Sequence, residues 1–112
     1  MVGSGSLAQA AGNPGQGADV FDGQCAECHS VKPGKNKKGP SLFGILGRKA
    51  GSIADFSYSD AMKNSGITWT VDKLDDYITH PKKTVPGDKM KYDGLEDAKD
   101  RADLIQFLIA QH

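Results

Sequence analysis

The chain is poor in the residues that usually build a core. Leu, Ile, Val and Phe together number 22 of 112 residues, and the mean hydropathy is −0.48. Such scarcity predicts disorder only when net charge is also high, and here 14 basic residues balance 14 acidic ones. A folded domain this short of apolar mass needs a further staple: disulfides, a metal or a bound cofactor. Long hydrophobic runs are also missing. The longest, Phe107 to Ala110, falls far short of the roughly 20 residues that span a membrane, so a soluble chain is expected. Excess positive charge is absent as well: a pI of 6.8 argues against a general nucleic-acid binder. At 112 residues there is room for one domain.

Cysteine is nearly absent. The two present, Cys25 and Cys28, stand in Cys25-Ala26-Glu27-Cys28-His29. A disulfide between them would close too small a loop to hold up the fold. Three readings remain. A thioredoxin-like redox pair needs a preceding strand in a βαβ unit, and Gly15 to Gln24 is not β-branched. A zinc site needs a second ligand pair, and His80 and His112 are too far apart to form one. The third is covalent haem: two thiols join the porphyrin vinyl groups as thioethers and the adjacent His29 ligates the iron. For the other face of that iron, Met90 closes the turn-forming Pro86-Gly87-Asp88-Lys89-Met90 and is flanked by lysines, a poor setting for a core methionine. His80 is its rival, although its place before Pro81 suits a helix-end residue.

Charge is segregated despite the balance. Val31 to Lys49 holds six basic residues and no acid, whereas Asp93 to Asp103 carries five acids against Lys99 and Arg101. A chain of this kind has a dipole that can orient docking. The rest reads as helices separated by loops. A short helix over about 16 to 28 turns Val20 and Phe21 inward. Residues 30 to 57, with five glycines and two prolines, form a long loop, acceptable in a small domain only if it wraps something. Ser59 to Asn64 forms a short helix with Gly66 near its C-cap. Thr70 caps a helix presenting Leu74, Tyr77 and Ile78 and ending before Pro81, and a last helix over about 97 to 111 aligns Leu104, Ile105, Leu108 and Ile109. No stretch alternates as a strand. The expected class is all-α, with residues 17–112 as the domain.

These residues together resemble a family. Gly17 and Phe21, the Cys25-to-His29 motif, Gly39-Pro40-Ser41-Leu42, Gly47-Arg48, Phe56-Ser57-Tyr58-Ser59, Gly66-Ile67-Thr68-Trp69, Tyr77, Pro81-Lys82-Lys83 and Pro86-Gly87-Asp88-Lys89-Met90 follow one another as in class I c-type cytochromes, of the mitochondrial cytochrome c and bacterial cytochrome c2 type. The resemblance implies a small fold of three to five helices and long loops wrapped around one haem c, covalent through Cys25 and Cys28, with His29 and Met90 on the iron. It implies that the Pro40 carbonyl accepts from the free ring nitrogen of His29, that Arg48, Tyr58 and Trp69 surround the haem propionates, and that Tyr77 hydrogen-bonds near the Met90 sulfur. Gly17, Phe21, Leu104 and Phe107 would join the first helix to the last.

A six-coordinate iron has no open position, so the resemblance implies a carrier of single electrons and no enzyme. The alternative is a haem enzyme or ligand sensor in which Met90 is displaced. The implied partners are a quinol-oxidising cytochrome bc1-type complex as donor and a terminal oxidase or photosynthetic reaction centre as acceptor, met by a monomer in the bacterial periplasm, in respiration or photosynthesis. Lys35, Lys37, Lys82, Lys83 and Lys89 are the expected docking cations. Departures from the family pattern are informative. Asp88 stands where Thr or Asn is usual, an added carboxylate expected to favour oxidised iron; Met62 and His80 stand where Asn is usual. Residues 1–16 read as a disordered linker, left from a trimmed export signal or a removed membrane anchor. A porphyrin also answers the missing core, since it buries several hundred Å² of apolar surface, on the order of 10 kcal/mol.

Overall fold

Short polar residues decide where this chain starts each helix. The computed structural model describes residues 12–112, and within them lie α1 (Pro14–Gln24), α2 (Asp60–Lys63), α3 (Val71–Thr79), α4 (Pro81–Thr84) and α5 (Ala98–Ile109). The side chains of Asn13, Ser59, Thr70 and Asp97 accept hydrogen bonds from the amides of Gln16, Met62, Lys73 and Asp100, satisfying donors that the first turn leaves orphaned. Among the described residues there is no strand, only an isolated antiparallel bridge between Lys49 and Thr68. The all-α expectation holds.

Two details differ from the sequence reading. The boundary expected between residues 16 and 17 falls inside α1, because Pro14 at the first helical position and the Asn13 cap start that helix earlier. Asn13 is anchored as well, its N–H donating to the Asp103 carboxylate at 2.8 Å. The remainder of the expected linker, residues 1–11, lies outside the described residues. The second difference is α4. His80 caps the C-terminus of α3 as expected, but Pro81 then opens a further turn. A proline stops the helix before it and presets φ for the one after.

The frame is the crossing of α1 and α5. Gly17 allows it: a Cβ there would sit 2.0 Å from the Asp103 carbonyl oxygen, so any side chain would force the helices apart. Beside that contact the rings of Phe21 and Phe107 lie 5.5 Å apart in a tilted pair. Arg101 ties α5 to α3 through Asp75 at 2.7 Å. The buried core gathers Phe21, Leu104, Ile105 and Leu108 from α1 and α5, Leu74 and Tyr77 from α3, and Ile45, Ala50, Trp69, Val85 and Leu95 from the loops. Five of these eleven residues are therefore supplied by irregular segments. The acidic stretch Asp93 to Asp103 is not wholly a surface feature either, since Asp103 is buried and accepts from Asn13 and from Lys99 at 2.7 Å.

Candidate functional site

The end of α1 delivers the sulfur and imidazole groups together. The Cys25 amide continues the helix by donating to the Phe21 carbonyl at 2.8 Å, and the His29 amide donates to the Cys25 carbonyl at 2.9 Å. One turn thus carries both thiols and the imidazole. Cys25 and Cys28 are half-buried free thiols. Burial, with a smaller contribution from Cys28, pushes the Cys25 thiol up to about 12. A redox or nucleophilic cysteine needs the opposite shift, and helix α1, not a strand of a βαβ unit, precedes the pair, so the site gives the thioredoxin-like reading no support.

His29 is held in one orientation. Its Nδ1 lies 2.8 Å from the Pro40 carbonyl, as the resemblance implies, and a carbonyl can only accept, so Nδ1 carries the proton and Nε2 keeps its lone pair. Burial lowers the imidazole pKa, the Pro40 bond opposes this, and Lys37 lowers it further. A neutral ring with a free Nε2 is the form that binds metal. The floor under the ring is Gly39, where a Cβ would come within 2.3 Å of His29 Cε1. Gly39 was visible in the sequence as part of a motif, but nothing in the sequence assigned it this contact.

The long loop continues beyond Pro40 through Arg48, Ala50 and Tyr58. Its amide and carbonyl groups pair with the segment before α3: the Ala50 amide donates to Ile67 at 2.8 Å, and the Trp69 amide to Arg48 at 2.9 Å. Arg48 and Trp69 are therefore neighbours. The Arg48 guanidinium donates to the carbonyls of Ser41, at 2.8 Å, and Phe43. Burial lowers its pKa, and Tyr58 acts in the other direction. The Tyr58 hydroxyl accepts from the Ile53 amide at 3.2 Å and its ring meets Phe56 edge-on. Ser41, which the sequence reading gave no role, is buried and organises the loop by donating to the Lys32 carbonyl at 2.6 Å.

Trp69 and Tyr77 pack with ring centroids 5.2 Å apart. The Tyr77 hydroxyl reaches the Met90 sulfur at 3.8 Å, but it also donates to Asp88. Asp88 is paired with Lys82 at 2.5 Å, so the carboxylate expected to act as an isolated added charge is partly neutralised where it stands. Met90 is half-buried against the core. His80, the rival ligand, is an exposed helix cap. Among the described residues no group of three or more His, Cys, Asp or Glu could hold a metal ion.

The donor set fits a haem that brings its own four nitrogens: two thiols for thioethers, one oriented neutral imidazole, one thioether on a separate loop, and a glycine where a side chain would displace the imidazole. The family model described as Cytochrome c matches residues 15–110. The chain is 51% identical to the cytochrome c of the fungus Cochliobolus lunatus over 98 residues, covering 87% of this chain and 91% of that protein. It is 51% identical to the cytochrome c of Arabidopsis thaliana over 98 residues, covering 87% of this chain and 88% of that one. It is 52% identical to the cytochrome c2 of Rhodomicrobium vannielii over 106 residues, covering 94% and 84%.

Proposed function

The chain belongs to the cytochrome c family, and on that premise we propose that it is a mobile single-haem electron carrier whose iron is held by His29 and Met90. It carries one haem c, covalent through Cys25 and Cys28. The observation that carries the reading is the His29 imidazole, placed directly after the two thiols with Nδ1 committed to Pro40. Bound haem supplies an iron that changes charge by one electron.

The protein's part is to hold that group in a fixed setting. Pro40 keeps the His29 ring from turning and makes it a stronger donor. Met90 offers a soft thioether, which favours the ferrous state. With both sides taken, no position is left for oxygen or a substrate, and this is the reason for reading a carrier in place of an enzyme or ligand sensor. Arg48, Tyr58 and Trp69 would be the residues that hold the haem propionates. The exposed cations Lys35, Lys83 and Lys89 would steer acidic partners. Lys37 and Lys82 stay exposed while donating to the Ala26 carbonyl and to Asp88, and the Asp88 carboxylate offsets part of the charge of Lys82.

The partners that suit this chemistry are a quinol-oxidising cytochrome bc1-type complex as donor and a terminal oxidase or photosynthetic reaction centre as acceptor, encountered by a monomer in the periplasm. Stopped-flow reduction of the oxidised protein by such a complex tests this. Second-order rate constants should be high at low salt and fall as salt rises. No electron uptake, or rates indifferent to salt, would refute the carrier role or the steering respectively.

A further inference from the structure

We propose that Asp88 is a positioning residue that latches the Met90 loop closed, through Tyr77 on α3 and Lys82 on α4. The inference rests on the reading of Met90 as the axial ligand and deepens it. The Asp88 side chain is only 1% exposed, while that of its partner Lys82 is 56% exposed. One carboxylate oxygen accepts from the Tyr77 hydroxyl, the other from the Lys82 ammonium. Lys82 donates in addition to the Met90 carbonyl, so the same ammonium grips the loop at two points two residues apart. The Asp88 amide closes the turn by donating to the Val85 carbonyl at 3.1 Å.

A carboxylate this buried is costly unless it is paired and hydrogen-bonded. Its partners come from two different helices, so the loop can satisfy it in only one place. Swinging Met90 outward would separate Asp88 from Lys82, break the Lys82 bond to the Met90 carbonyl, and leave the Tyr77 hydroxyl without its strong acceptor. These losses arise from a single movement. The division of Tyr77 supports the same view: a carboxylate outcompetes a thioether for the hydroxyl proton, and the sulfur at 3.8 Å is the weaker contact. A residue at position 88 that acted on the iron by charge alone would need neither Lys82 nor the contact to Tyr77.

The test is the rate at which cyanide displaces Met90 from the oxidised holoprotein at neutral pH. At saturating cyanide this rate is limited by loop opening, and loss of the far-red Met–iron band follows it. Asp88→Thr and Lys82→Ala should each speed opening about tenfold, the scale of one hydrogen bond to a charged group. The double variant should speed opening by clearly less than the product of the two single effects, because both singles already lose the shared Asp88–Lys82 pair. Hydrogen exchange at the Asp88 amide should speed up in parallel. Unchanged opening in either single variant, independent effects that multiply in the double variant, or a shift in midpoint potential without any change in opening would overturn the proposal. If the parent protein lacks the far-red band, the Met90 ligation falls and the latch with it. A band present in the parent with opening rates unmoved removes the latch alone.

Discussion

Replacing Gly39 by alanine should damage the site more than any other single methyl group added to the loop. The new Cβ would lie 2.3 Å from His29 Cε1, 2.7 Å from Nδ1 and 2.9 Å from Nε2. Ordinary contact begins near 3.4 Å, so the ring or the backbone must retreat by more than an ångström. Backbone retreat is opposed by the Gly39 amide, which donates to Cys28 at 2.7 Å, and by the Gly39 carbonyl, which accepts from Lys37 at 2.9 Å. Ring retreat breaks the bond to Pro40. Overpacking of this kind costs about 1–3 kcal/mol, and the lost hydrogen bond about 1 kcal/mol more. Guanidinium unfolding of the oxidised holoprotein, followed by haem absorbance and by far-ultraviolet circular dichroism, should therefore show a loss of about 2–4 kcal/mol. Gly23→Ala is the control. A Cβ there meets nothing within 4 Å, and a glycine in α1 replaced by alanine should gain about 0.5 kcal/mol. Equal small effects at both positions would refute the claim that Gly39 is the floor of the imidazole.

Leu104→Ala, at a side chain 1% exposed where α5 meets the core, should cost about 3 kcal/mol and lower the denaturation midpoint without changing the slope. Asp103 gives a pH prediction. The Asn13 amide and Lys99 hold its carboxyl below the usual value, so its stabilisation is present above the unfolded value near about 3.9. It is lost as pH falls through the lower folded value; Asp103→Asn should flatten the melting temperature against pH on that acid limb, and an unchanged limb would contradict the assignment. Protein made without haem attachment should be largely unfolded by circular dichroism, since five of the eleven buried core residues come from loops with nothing else to wrap; a cooperative, native-like melt would count against the haem as the staple.

The sequence made the helix starts and the cysteine–histidine cluster legible because both are written locally. Asn13 and Pro14, Ser59, Thr70 and Asp97 mark helix starts within a few residues of the groups they cap, and Cys25, Cys28 and His29 share one turn. The resemblance supplied the Pro40 and Tyr77 contacts, and the structure has both. Contacts between distant segments were not legible. Asp88 and Lys82 are both charged residues in loop-like sequence, and only the folded chain shows that one is buried against the other. Gly39 looks like any turn glycine until His29 is placed above it. Asp103 sits in an acidic run that suggests solvent, yet the α1 to α5 crossing turns it inward. In each case the deciding partner lies on another element, and no local pattern announces it.

A spectroelectrochemical titration of the purified holoprotein across the visible and far-red range tests the haem and its ligation most directly. The expected result is a Soret band, a single one-electron transition between oxidised and reduced forms, and in the oxidised form a far-red Met–iron band that disappears in Met90→Ala. A protein without a Soret band would contradict haem attachment at Cys25 and Cys28. A haem protein lacking the far-red band would contradict ligation by Met90, and with it the reading of a closed-site electron carrier.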